Sequence, residues 1–198
     1  MTDVIPDKSN SIAYTIGLVS HPAVIAILTL VLILQDLSIQ QMLFWTALIS
    51  SVILIPTFVT IAYLRQRNRH TYERGTRKPI YIMAWVSVIV CFFIVLFFDG
   101  PREMAICMAT LAVWLPLQLM VNHYITKISA HTAVASGCYM ALILFNQLNS
   151  ALIIIGLVTI LSITWARLTT KNHTVLQVAL GILVGTGSVL LVFPIMLR

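Results

Sequence analysis

Two histidines, His131 and His173, each end a short polar cluster in a chain that is otherwise almost continuously apolar. The second cluster is Lys127-Ile128-Ser129-Ala130-His131 and the third is Arg167-Leu168-Thr169-Thr170-Lys171-Asn172-His173, while an earlier one runs from Arg74 to Lys78. Together they supply imidazoles, cations and a hydroxyl. One imidazole can attack phosphorus without a metal, and a second can protonate the departing alkoxide and later activate water. Arginine adds a planar fork that grips a phosphate at two points. These residue types suit phosphoryl chemistry, provided that the chain brings them to one place.

Each residue also has a structural reading. Arg74 and Arg77 are spaced i, i+3 just ahead of Pro79, which is well placed to open a helix, so one helix face can direct both guanidiniums at an oxyanion. Arg65, Arg67 and Arg69 read instead as a stop-transfer signal. Ser129 and His131 lie where a loop becomes a helix, whose first N–H groups form an anion site; Ser129 can equally be an N-cap and His131 an interfacial residue. Gln177 follows His173 by one helical turn and can reach its ring. Lys127 joins the candidate phosphate ligands on placement alone.

The elements that must position these residues are transmembrane. Hydrophobic residues make up 60% of the 198 and charged residues 9%, with mean hydropathy +0.99, which predicts an all-α polytopic membrane bundle of a single domain. Apolar windows run from Tyr14 to Leu34, Met42 to Leu64, Pro79 to Phe98 and Met104 to about Tyr124. The stretch from His131 to Trp165 is too long for one span and carries Asn146, Gln147, Asn149 and Ser150 at its middle, so it reads as a helical hairpin. A last span starts near Thr174. The expected count is seven helices, or six with a merged pair. Asp3 and Asp7 precede the first apolar stretch, where a cleavable signal would carry positive charge, so the first helix is expected to be retained.

Paired crossings separate the three clusters, which places all of them on one face. Lys8, Arg65, Arg67, Arg69, Arg74, Arg77, Lys78, Lys127, Arg167 and Lys171 fall on that face, with Arg102 and Arg198 opposite. The positive-inside rule makes the clustered face cytoplasmic. Its charge attracts anionic head groups, and nucleic acid is a poor partner because no soluble domain presents that charge. Cys91, Cys107 and Cys138 are odd in number, lack CxxC spacing and read as packing residues. No HExxH, paired-cysteine or carboxylate cluster predicts a metal, and no cofactor is implied. His21 before Pro22 reads as capping a kinked backbone, and Gly181 with Gly185 as a close-packing seam.

The three clusters jointly resemble the type 2 phosphatidic acid phosphatase (PAP2) family of integral membrane lipid phosphatases, whose pattern is Lys-x6-Arg-Pro, then Pro-Ser-Gly-His, then Ser-Arg-x5-His-x3-Asp. Here Ala166-Arg167, five residues, His173, three residues and Gln177 align with the third motif, and Ile128-Ser129-Ala130-His131 with the second. Lys78-Pro79 occupies the Arg-Pro place, with Thr71 where Lys is expected; alternatively Arg74 and Arg77 supply that clamp, with Arg67 as another candidate. The resemblance spans Arg74 to Gln177 and implies a catalytic core at about 65–198. It makes His173 the nucleophile, His131 the leaving-group acid, and Ser129, Ala130 and Arg167 part of the phosphate cradle. It further implies a metal-independent hydrolase acting on phosphatidate, phosphatidylglycerol phosphate or a prenyl diphosphate through a phosphohistidine. Active sites in that family commonly face outward, against the charge bias here. Gln177 replaces the family's Asp, so it can orient the nucleophile but supplies no charge. A noncatalytic lipid-phosphate-binding scaffold is therefore the alternative, and a phosphotransferase a third.

Overall fold

The computed structural model describes residues 10–67, 69 and 75–196. Arg74, Glu73 and Thr71 lie outside the described residues. Among those described, the chain forms eight α-helices and no strand: α1 (Ser11–Val19), α2 (Pro22–Ile33), α3 (Ile39–Gln66), α4 (Arg77–Phe97), α5 (Arg102–Met120), α6 (Ala130–Leu144), α7 (Ser150–Thr169) and α8 (Val175–Met196). A single π-helical turn, Val121–Ile125, continues α5.

Five of these, α3, α4, α5 with its π turn, α7 and α8, are long and apolar enough to cross a membrane; α1 and α2, bent by 47° at the break between them, reach that length only as a pair, as a broken span or a re-entrant loop. Large apolar side chains such as Phe93, Phe97, Leu161 and Leu183 face outward, where only lipid can cover them. The protein is a multi-pass membrane helical bundle. The expected hairpin is present: Asn146 takes a left-handed φ of 57° and Asn149 caps α7 through Leu152 N–H at 2.9 Å. Its first arm differs from an ordinary span, since α6 has 15 residues and reaches only about 22 Å against a hydrocarbon core of about 30 Å.

The break between α1 and α2 follows from Ser20-His21-Pro22. Proline disfavours helical backbone at the residue before it and starts the next helix well. His21 supplies the cap, its Nδ1 accepting the Ala23 N–H at 3.2 Å.

Glycine sets the α6–α8 packing. A Cβ on Gly185 would lie 2.0 Å from the Ala133 carbonyl oxygen, and one on Gly181 would lie 2.5 Å from Thr132 Oγ1 and 2.7 Å from the Ser129 carbonyl oxygen. The helices meet backbone to backbone, the seam expected of GxxxG. Thr132 and Ser136 hydroxyls donate across it to the carbonyls of Val178 and Ile182 at 3.4 and 3.3 Å. At the far end of the bundle Ile33, Leu34, Ile49, Val95, Met104 and Leu142 form a closed apolar core. There Gln147 binds Gln35 and Arg102 closes the end of α8 through the Met196 carbonyl at 2.8 Å.

Candidate functional site

The five residues between Arg167 and His173 comprise the last turn of α7 and a reversal. Lys171 adopts φ 53°, a left-handed conformation that ends the helix, and the chain folds back so that the His173 N–H donates to the Arg167 carbonyl at 3.3 Å. Arg167 and His173 are thereby held side by side. α8 then opens with a capping box: the Gln177 N–H donates to Thr174 Oγ1 at 3.4 Å, and the Thr174 N–H donates to Gln177 Oε1 at 3.3 Å, satisfying two donors of the helix start reciprocally.

Gln177 serves the site through the same amide. Its Oε1 lies 3.1 Å from His173 Nδ1, and its Nε2 donates to Thr126 Oγ1 at 3.2 Å. An amide oxygen only accepts, so His173 carries its proton on Nδ1 and presents the Nε2 lone pair. The Thr174 N–H on the same oxygen fixes the amide's orientation. Burial, then the charges of Arg77, Lys127 and Arg167, hold His173 far below the usual imidazole range, at about 3, against a smaller opposing effect of the Gln177 hydrogen bond. The ring is neutral at physiological pH.

The second cluster is bound to the third. The Ser129 N–H donates to the Gln177 carbonyl at 3.2 Å, and the π turn delivers Thr126 in extended backbone beside Gln177. Ser129 is fully buried and accepts from the Thr132 N–H at 3.4 Å, so the structural reading of this hydroxyl as an N-cap is realised. Ala130 and His131 follow it, both half-buried, on the first turn of α6. The first cluster joins through Arg77, whose Nη1 donates to the Ile128 carbonyl at 3.1 Å. Lys78, the next residue, is exposed. Lys127 is half-buried, with its charge felt at His173.

The site also includes residues from the first two helices, where the motifs assign none. Arg167 is buried, 9% exposed, and among the described residues its Nε has no hydrogen-bond partner. Its guanidinium lies against α1: a Cβ on Gly17 would fall 1.5 Å from Nη2. A backbone hydrogen bond joins His131 to Gly17, and the His21 and His131 rings meet edge to face with centroids 6.0 Å apart. Arg167 is close enough for its charge to bear on His21, His131 and His173. His21 thus caps α2 and faces the site at once. The His-Pro pair was the available signal, but sequence spacing cannot show that the resulting bend returns to α6 and α7.

Among the described residues no three His, Cys, Asp or Glu side chains gather as metal ligands. No family model matches this chain, and neither a curated protein nor a solved structure is significantly similar to it.

Proposed function

We propose that this chain is a membrane-embedded lipid phosphatase of the PAP2 type, hydrolysing a phosphate monoester or diphosphate of a lipid through a phosphohistidine on His173. The observation that carries this reading is the His173–Gln177 pair, which leaves a neutral imidazole with its Nε2 lone pair free beside Arg77, Lys127 and Arg167. His173 Nε2 attacks phosphorus and the bond to the lipid oxygen breaks. His131, held by Gly17 through one ring nitrogen, takes a proton from the substrate's phosphate monoanion on the other and passes it to the leaving oxygen. Water then attacks the phosphohistidine, His131 takes its proton, and the phosphorus–nitrogen bond breaks to release phosphate. The unpartnered Arg167 Nε and the Arg77 and Lys127 cations offset charge on the phosphoryl oxygens, so catalysis is mainly electrostatic positioning. The substrate partner is a lipid phosphate held at the bilayer surface, on the face that the charge bias makes cytoplasmic.

Gln177 favours one other reading, a noncatalytic lipid-phosphate-binding scaffold, because the imidazolium gains no compensating charge. Phosphate release from lipid phosphates in mixed micelles, with chelator present, separates the two. Release by wild type and its loss in His173→Ala, with a trapped phosphohistidine, supports the phosphatase; lipid-phosphate binding with neither event supports the scaffold. A trapped phosphohistidine that passes its phosphoryl group to another acceptor without releasing phosphate indicates a transferase.

A further inference from the structure

An apolar cavity of about 310 Å³ opens inside the bundle among α2, α3, α4, α5, α6 and α8. Its polar end is His21, the residue that faces His131; its floor is Ile33, Ile49 and Met108, which belong to the closed core at the far end. Small residues keep its middle open, among them Ala26, Ala84 and Ala133. From His21 to Ile33 the wall rises about 18 Å at 1.5 Å per residue. That is close to the depth of one leaflet, half of a hydrocarbon core of about 30 Å.

We infer that this cavity holds the hydrocarbon tail of the substrate, and that it takes one chain rather than two. The inference rests on the phosphatase reading for the head group and narrows the substrate to single-chain lipid phosphates, alkyl or prenyl. Three features support that occupant. The cavity begins at the site's own histidine, so a phosphate near His173 directs its ester oxygen and tail inward. Its length suits one membrane-lipid chain. Its volume, about 310 Å³, sits at the bottom of the usual range for ligand sites, about 300–1,000 Å³, which favours one chain over two.

The test uses the full-length protein in lipid nanodiscs. A hexadecylphosphonate with a diazirine at its terminal carbon, photolysed in place, should attach at Ile33, Ile49, Met108 and their neighbours; labelling spread over outward-facing Phe93 and Phe97 instead would overturn the inference. In parallel, hexadecyl phosphate, farnesyl phosphate, diacyl phosphatidate and water-soluble phenyl phosphate are compared as substrates. Phosphatidate should be turned over about tenfold more slowly than the single-chain lipids, and Ala84→Phe should lower the ratio of hexadecyl to phenyl phosphate turnover by about tenfold. Equal turnover of one- and two-chain lipids, or an unchanged ratio, sinks the tail site while leaving the phosphatase intact. If wild type hydrolyses none of the four and also leaves farnesyl diphosphate intact, the phosphatase reading fails, and the position of the photolabel still decides the cavity.

Discussion

Gln177 holds Thr174, His173 and Thr126 with one side-chain amide, which limits what can replace it. Gln177→Glu keeps the length and the accepting oxygen, and Thr126 can donate its hydroxyl to the new carboxylate. That carboxylate would raise the His173 pKa and stabilise the positive ring formed on phosphorylation, so kcat for phosphate release should rise. Gln177→Leu removes the tautomer lock and should lower kcat by between about 10-fold and the roughly 10⁴-fold loss seen when the orienting partner of a catalytic histidine is spoiled, besides costing about 1 kcal/mol of helix capping. Steady-state phosphate release by the three proteins checks both directions. The pH response follows from the same ring. His173 binds a proton near pH 6.5 when unfolded and near pH 3 when folded, so stability falls as the pH drops through that window, by at most about 1.4 kcal/mol per pH unit. Thermal unfolding midpoints between pH 6.5 and 3 should be flatter for His173→Ala than for wild type. The Arg-to-His spacing was legible in sequence because one turn and one reversal have a fixed length. That Arg77 and not Lys78 turns toward the second cluster was not, because adjacent positions on a helix differ in direction by about 100° and only the neighbouring loop selects between them.

At the scale of helices, the seam between α6 and α8 is what places Ser129 and His131 against Gln177 and His173. Gly185→Leu would force a side chain into the Ala133 carbonyl, where even a Cβ would lie at 2.0 Å. The helices must separate, so the variant should lose both thermal stability and lipid phosphatase activity, measured by unfolding in detergent and by phosphate release. Gly17→Val acts from the other end of the chain: it displaces the Arg167 guanidinium, and it should raise KM for the lipid phosphate while the seam, and hence the unfolding midpoint, stays nearly unchanged. Gly181 and Gly185 announced their seam in sequence because small residues one turn apart have one dominant use in a membrane. The polar turn at Asn146 to Asn149 likewise marked the hairpin. The shortness of α6 was hidden, since apolar residues continue on both sides of the turn and composition does not record where a helix ends. Nor did the break at His21 reveal its return to the site, because a bend's direction is set by the helices it packs on.

For the molecule as a whole, the functional question is which side of the bilayer the assembled site faces. Even after Arg77, Lys127 and Arg167 are set aside as ligands, the described residues Arg65, Arg67, Arg69, Lys78 and Lys171 remain at the site's end of the bundle against Arg102 at the other, a bias from which the positive-inside rule predicts a cytoplasmic site. The family resemblance points the other way. Two single cysteines distinguish these, in a background lacking Cys91, Cys107 and Cys138: Gly75→Cys, at an exposed position with open space around it, and Asp99→Cys, in the exposed turn between α4 and α5. With the site inside, a membrane-impermeant maleimide applied to intact cells should label the cysteine at 99 and reach the one at 75 only after permeabilisation. The reverse pattern would place the site outside. The outcome bears on substrate as well as on topology, because the cavity below His21 reaches about one leaflet deep. A site facing the cytoplasm would draw its lipid from the inner leaflet, where the surplus of cations also attracts anionic head groups; an outward site would have to take the same single-chain phosphate after it had crossed the bilayer.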